Sequence, residues 1–155
     1  MFNVVLIEPE IPPNTGNVAR LCAATKTYLH LIEPLGFKLD DNQLKRAGMD
    51  YWRLVDWRRW RSWGAFIEQL ISPGRLWFIE SKGPRLYTEA LFGPDDYLVF
   101  GRETAGLPKQ LLEKNPDSWL RIPMFNPKAR SLNLSNCVGL VLFEALRQQG
   151  FAGEV

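Results

Sequence analysis

Histidine and cysteine are scarce in this sequence of 155 residues, which contains one histidine and two cysteines. His30, Cys22 and Cys137 stand far apart along the chain, so they form no cluster of metal ligands, and we predict no metal site. A single histidine also argues against a catalytic triad built on histidine. Both cysteines lie in apolar segments, and we expect two reduced, buried thiols.

Long apolar runs and a targeting signal are also missing. No stretch approaches the roughly 20 apolar residues that a membrane-spanning helix needs, and residues 1–9 lack the basic and long apolar regions of a signal peptide. We therefore expect a cytoplasmic protein that does not enter a membrane. The composition, 46% apolar and 23% charged with a formal net charge of +2, excludes disorder and coiled coil and predicts one domain over residues 1–155.

Short apolar runs alternate with amphipathic segments, which predicts an α/β sandwich of helices around a mostly parallel sheet. The predicted strands are residues 2–7, 28–32, 76–79, 97–100 and 119–122. The predicted helices run from Val18 onward and over residues 40–47, 63–71, 108–114 and 133–148. Asn14, Thr15 and Asn17 are candidate N-caps of the first helix.

The last predicted helix is apolar on two faces. One stripe consists of Leu134, Val138, Val141, Leu142 and Ala145. A second stripe consists of Leu140, Phe143 and Leu146. A helix that is apolar nearly all round is buried nearly all round, so the second stripe indicates a subunit interface.

Four segments that follow predicted strands are rich in glycine, proline and polar residues. They are residues 12–17 with Arg20, residues 80–83, residues 100–108 and residues 122–136. Ordinary turns have a similar composition, but ligands of parallel sheets bind where the strands end. The Gly-x-Gly-x-x-Gly and P-loop patterns are absent. In residues 101–106, we expect Glu103 to accept hydrogen bonds from a ligand or to brace a neighbouring loop.

Residues 51–63 hold four of the six tryptophans and four arginines. Interleaved aromatic rings and guanidinium groups suit RNA, because the rings stack on bases and the guanidinium groups bind phosphates. The alternative is that the tryptophans pack inward while the arginines reach solvent. Further positive charge lies around the last two loops, at Lys109, Lys114, Arg121, Lys128 and Arg130.

Three motifs together resemble the SPOUT class of S-adenosylmethionine-dependent RNA methyltransferases, in the branch that methylates ribose 2′-hydroxyls. The motifs are residues 8–17 with Arg20, residues 100–108, and residues 122–124 leading into residues 130–136. The similarity covers essentially the whole chain and is nearest to the minimal tRNA members. It implies an α/β fold with a C-terminal trefoil knot, and a homodimer formed through the last helix and the knot region.

The resemblance also implies the substrate and the residues of the site. The expected substrate is the wobble nucleotide, position 34, of certain leucine tRNAs. The residues expected around S-adenosylmethionine are Ile79, Gly101, Glu103, Ile122, Met124, Ser131 and Leu132. Those expected at the RNA are Asn14, Arg20, Lys128 and Arg130, with Arg20 and Asn133 as the catalytic pair.

Arg20, contributed by the partner subunit, is expected beside the ribose that is methylated. A guanidinium is effectively always protonated, so we expect Arg20 to bind the phosphate next to that ribose while the phosphate or a water takes the hydroxyl proton. Phe143 stands where the family often has a tyrosine. Two alternatives remain open: the same reaction on rRNA or at another tRNA position, and a knotted RNA-binding protein without methyl transfer.

Overall fold

The computed structural model describes residues 1–40, 42–48, 51–70 and 74–155. Its strands are β1 (Asn3–Ile7), β2 (Tyr28–Ile32), β3 (Trp57–Trp60), β4 (Leu76–Ile79), β5 (Arg85–Leu86), β6 (Tyr97–Phe100) and β7 (Trp119–Arg121). Its α-helices are α1 (Pro12–Thr25), α2 (Asn42–Gly48), α3 (Trp63–Glu68), α4 (Lys109–Glu113) and α5 (Leu134–Gln148). No helix in these ranges is both long and apolar enough to cross a membrane.

The strands form one sheet in the order β3-β2-β1-β6-β4-β7-β5. Every strand pair in the described ranges is parallel. β1 lies inside the sheet, where Asn3 is in register with Tyr28 on one side and with Tyr97 on the other. The predicted α/β architecture around a parallel sheet is therefore confirmed, and the knot remains an implication of the resemblance.

Side chains of the strands alternate between two faces of the sheet, and helices cover both. Val4 and Leu6 belong to a core cluster that includes residues of α1 and α5, such as Val18 and Val138. Val5 and Ile7 belong to a second cluster with Phe66 of α3 and Leu112 of α4. Because successive residues of a strand point to opposite faces, runs such as Val4–Ile7 are buried on both sides. Because the strands are parallel, their carboxyl ends lie together at one edge of the sheet.

The start of α1 differs from the prediction. The helix begins at Pro12 rather than near Val18, and Asn14 and Thr15 are buried within it. Asn17 also lies within the helix, so the prediction that one of these three residues caps it is wrong. Two prolines suit a first helical turn because their amide nitrogens carry no proton to satisfy. The turn also receives support from a distant carboxylate, described below, which the local sequence does not reveal.

The Trp/Arg-rich stretch contains β3, a strand that the sequence did not predict. Trp60 is buried, and Trp52 and Trp57 pack edge to face at 5.0 Å between ring centroids. Arg58 lies 3.9 Å from the centroid of the Trp60 ring, and Arg59 pairs with Glu33 at 3.3 Å. The tryptophans thus pack inward, as the alternative interpretation had it. Contact of this stretch with RNA stays a prediction.

The remaining boundaries agree closely with the sequence patterns. α2 and α3 are shorter than predicted, and the predicted residues 41 and 71 fall outside the described ranges. β5 was not predicted, because two residues are too few to produce an alternating pattern. Arg85 and Leu86 pair with β7, and the Arg85 guanidinium donates to the backbone oxygens of Asp117 and Glu89.

The scarce histidine and cysteines lie in the core or beside it. Cys22 and Cys137 are free thiols, as predicted, but only Cys22 is buried, so the prediction of burial is wrong for the half-buried Cys137. Burial raises the pKa of Cys22 to about 12. His30 accepts a hydrogen bond at Nδ1 from the Trp60 indole, so its proton sits on Nε2, which lies 3.1 Å from the Asn3 side-chain oxygen. Burial, reinforced by the charge of Arg58, lowers the pKa of His30 to about 4. This histidine is a neutral core residue.

Candidate ligand-binding cleft

A cleft of about 470 Å³ opens where β4, β6 and β7 end, and the segment before α5 closes it. Its volume lies in the range of small-molecule sites. The residues from the β1 and β4 exits that line it are Ile11, Asn14, Ile79, Glu80 and Ser81. Those from the β6 exit are residues 100–106, and those from the last two segments are Ile122, Met124, residues 130–134 and Cys137.

The β6 exit doubles back on itself at two glycines. Arg102 and Gly106 exchange backbone hydrogen bonds of 3.1 and 2.9 Å. A Cβ atom on Gly101 would come within 2.2 Å of the Gly106 carbonyl carbon. Gly106 has a φ of +67°, a conformation that favours glycine. The loop therefore requires glycine at both positions.

Glu80 ties the β4 exit to the β6 exit. One carboxylate oxygen accepts a hydrogen bond from the backbone amide of Leu107 at 3.0 Å. The other accepts from the amide and the hydroxyl of Ser81, at 2.9 and 3.1 Å. Charge-assisted bonds of this kind are stronger than those between neutral groups. Two walls of the cleft are consequently held by one side chain.

Glu103 performs the same task between the β6 exit and the start of α1. Its carboxylate accepts hydrogen bonds from the amides of Glu10 and Ile11, at 2.9 and 3.1 Å, and from the Asn14 side chain at 3.4 Å. In the opposite direction, the Thr104 hydroxyl donates to the Glu10 carboxylate at 2.7 Å. Of the two roles considered for Glu103, the structure shows the brace.

Asn14 and Asn133 join the first helix to the last. The Asn133 amide nitrogen donates to the Asn14 side-chain oxygen at 2.9 Å. The Asn133 oxygen accepts from the amides of Ser135 and Asn136, so Asn133 is the N-cap of α5. The sequence did not predict that Asn133 also reaches α1, across 119 positions of the chain.

The structure brings most of the predicted site residues together. The seven residues expected around a cofactor, Ile79, Gly101, Glu103, Ile122, Met124, Ser131 and Leu132, all line the cleft. So do Asn14, Arg130 and Asn133. Lys128 lies outside this lining, exposed on the loop before α5, and Arg20 lies outside it on the exposed face of α1.

Two further features of the site were missed from the sequence. The Arg20 guanidinium lies 5.0 Å from the centroid of the Tyr51 ring, a contact between segments that no local pattern connects. Cys137 lines the cleft, and burial raises the pKa of its thiol, so it remains protonated and a poor nucleophile. The role of Glu80 had a weak signal in the sequence, because Glu80 is an acidic residue directly after a strongly apolar strand.

Residues 1–143 match the model of the SpoU rRNA Methylase family. A relative from Saccharophagus degradans, a tRNA (cytidine(34)-2′-O)-methyltransferase, is 54% identical over 154 residues, which are 99% of each chain. A solved structure concerned with 2′-OH methylation of C/U34 on tRNA has a TM-score of 0.92 and 47% identity over 97% of each chain. An AdoMet-bound rRNA methyltransferase from Sinorhizobium meliloti has a TM-score of 0.83 and 26% identity over 94% of this chain and 56% of its own.

Proposed function

Because this chain belongs to the SpoU rRNA methylase family, we propose that it transfers a methyl group from S-adenosylmethionine to the ribose 2′-hydroxyl of nucleotide 34 in tRNA. The predicted resemblance to these methyltransferases is confirmed at the level of the family. One observation carries the assignment of the site: residues taken from four separate segments of the sequence line a single cleft.

The residues of the cleft fit S-adenosylmethionine. Ile79, Ile122 and Leu132 supply apolar walls for an adenine ring. Gly101 and Gly106 have no side chain, and a Cβ atom at either position would collide with other atoms. Glycine loops of this kind let backbone amides and carbonyls approach a ligand closely. When bound, the cofactor supplies a methyl group already activated by a sulfonium centre.

The work of the protein is then positioning. Holding two reactants in line can contribute roughly 7–11 kcal/mol to a barrier reduction. Glu80 and Glu103 fix the walls, and the Asn14–Asn133 bond fixes the mouth between α1 and α5. In our proposal Arg20 binds the phosphate beside the target ribose, and that phosphate or a water accepts the hydroxyl proton.

We propose that a second copy of the chain completes each site. Leu140 and Phe143 on α5 are 44% and 48% exposed, and the neighbouring groove between α1 and α5 includes Leu21. This is the second apolar stripe of the last helix, and a second copy would cover it. Arg20 lies outside the lining of its own cleft, which is consistent with a role in the cleft of the partner.

The finer substrate is proposed on the resemblance and on the relatives. We propose leucine tRNAs as the substrates, methylated at the wobble position in the cytoplasm. The relative and the solved structure that concern position 34 match over nearly the full length of both chains, which favours this site over rRNA or another tRNA position.

Incubation with bulk tRNA and isotopically labelled S-adenosylmethionine, followed by nucleoside mass spectrometry, tests the proposal. We expect a 2′-O-methylated nucleoside at position 34 of leucine tRNAs. Labelled product at another position, or only in rRNA, would replace the substrate but keep the chemistry. Calorimetric titration with S-adenosylmethionine separates the remaining alternative, because a non-catalytic RNA-binding protein would bind tRNA without binding the methyl donor.

A further inference from the structure

The loop of residues 123–133, between β7 and α5, carries an aromatic side chain that the proposed reaction leaves without a task. Every residue of this loop is exposed. Phe125 is 93% exposed, more than any other aromatic residue in the described ranges. A phenylalanine left in water forgoes the favourable free energy of burying its ring. Such a ring is available to a partner.

The position of Phe125 limits where that partner lies. Met124, directly before it, lines the cleft, and so does Arg130, five positions later. The intervening chain is held in a turn, in which the amides of Lys128 and Ala129 donate to the side-chain and backbone oxygens of Asn126, each at 3.0 Å. Phe125 therefore lies on a loop with defined geometry, between residues that line the cleft.

The charge around the loop indicates the chemistry of the partner. From Ser118 to Phe143 the sequence contains Arg121, Lys128 and Arg130 and no aspartate or glutamate. A cationic segment without carboxylates attracts a polyanion. An exposed ring between cationic side chains is the arrangement with which proteins bind single-stranded nucleic acid, since every base offers a flat face for stacking.

We propose that Phe125 stacks on an unpaired base of the substrate RNA, one that adjoins the methylated nucleotide. The inference rests on the proposed function, because it takes the methylated ribose to lie in the cleft. Stacking on this ring holds the flanking nucleotide outside the cleft and so places the ribose at its mouth. Lys128 and Arg130 bind the neighbouring phosphates.

The experiment compares Phe125→Leu, which keeps the apolar bulk, with Phe125→Tyr, which keeps the ring. Affinity for a leucine tRNA transcript is measured at two salt concentrations. We expect Phe125→Leu to weaken binding about tenfold, as for loss of one stacked base, with an unchanged salt slope, while Phe125→Tyr stays within about twofold. Leu91→Ala, at a side chain 76% exposed and distant in sequence from the cleft, is the matched control.

A double-mutant cycle with abasic RNA identifies the base. If Phe125 stacks on the nucleotide before or after position 34, removing that base costs as much as Phe125→Leu, and the two changes together cost no more than one. Additive losses at both positions would overturn the inference, as would equal binding by all variants. Sedimentation supplies a further contrary outcome, because dissociation of Phe125→Leu into monomers would assign the ring to a second copy. Methylation by the unaltered chain, assayed in parallel, reports separately on the proposed function.

Discussion

Two carboxylates near the cleft accept their hydrogen bonds from the protein itself. Glu80 and Glu103 each accept backbone amides from a different loop. Acidic side chains beside a ligand site are often interpreted as acids or bases, but here their geometry makes them braces. Braces of this kind suffice for a reaction in which the protein only positions the reactants, because the reactive methyl group comes with the cofactor.

Arg20 is expected to act on the RNA and not on the cofactor. Arg20→Ala should leave S-adenosylmethionine affinity within about twofold, because Arg20 lies outside the cleft lining, and should slow methyl transfer by about 100-fold, a typical cost of misplaced reactants. Calorimetry and single-turnover methylation measure the two effects. Arg75→Ala, which also removes a guanidinium from an aromatic ring, is the control. Lost cofactor affinity with residual turnover would contradict the assignment.

His30 should make the stability depend on pH. Its pKa is about 4 in the folded chain against an ordinary value of 6.5, so between these values the unfolded chain binds a proton that the folded chain excludes. The free energy of unfolding should therefore decrease as the pH falls from 6.5 to 4, by about 3 kcal/mol in all. Urea unfolding across this range measures it.

The matched variant for this pH dependence is His30→Gln, which cannot titrate. The substitution should lower the stability at pH 7, because the Trp60 indole N–H loses the imidazole nitrogen that accepts its hydrogen bond. It should also flatten the dependence of the free energy of unfolding on pH between 6.5 and 4. His30 is the only histidine of the chain, so the difference between the two slopes belongs to it. Equal slopes in both proteins would assign the pH dependence to carboxylates.

Among the elements, the strands that could be predicted are those whose own residues are mostly apolar, so that the local sequence alone indicates burial. Phe2–Ile7 and Tyr97–Phe100 are short apolar runs, and a run of that kind indicates a strand wherever it lies. β3 escaped prediction because it is an edge strand with exposed Arg58 and Arg59 between its tryptophans. The early start of α1 escaped because Glu103, which holds the amides before it, comes from another loop.

The loop after β6 should be intolerant of the smallest substitution. Gly101→Ala places a Cβ atom 2.2 Å from backbone, which forces residues 101–107 apart, so we expect S-adenosylmethionine affinity to fall at least about tenfold and stability to fall by about 1–3 kcal/mol. Gly64→Ala is the control, because its Cβ would meet nothing nearer than 3.8 Å. Calorimetry and urea unfolding measure both variants. Normal affinity in Gly101→Ala would show that the loop does not shape the site.

In the whole molecule, the cleft could be assembled from the sequence only through the resemblance. The sequence analysis predicted that four polar segments follow strands and so lie at one edge of the sheet, and the parallel topology confirms this prediction. It did not reveal the cross-loop bonds, because Asn14–Asn133 and Glu80–Leu107 join positions far apart in the chain. Nor could it distinguish an exposed stripe on α5 from a buried one, since both have the pattern of an apolar helix.

That stripe provides a test of the proposed dimer. Leu140→Asp puts a charge at a side chain of α5 that is 44% exposed, so the variant should sediment as a monomer and lose methyl transfer while remaining folded. Leu91→Asp, on a side chain 76% exposed elsewhere, should behave as the unaltered chain does. An unaltered chain that sediments as a monomer and still methylates tRNA would refute the partner's role.

The place of β1 in the sheet has a consequence for synthesis on the ribosome. β1 is made well before β6, yet β6 is one of its two neighbours, and Tyr97 of β6 pairs with Asn3. Until that strand emerges, the nascent chain presents an apolar strand with one open edge, the kind of surface that recruits chaperones or aggregates. Pairings so remote in sequence also slow folding. We expect the nascent chain to stay sensitive to protease until β6 has left the exit tunnel.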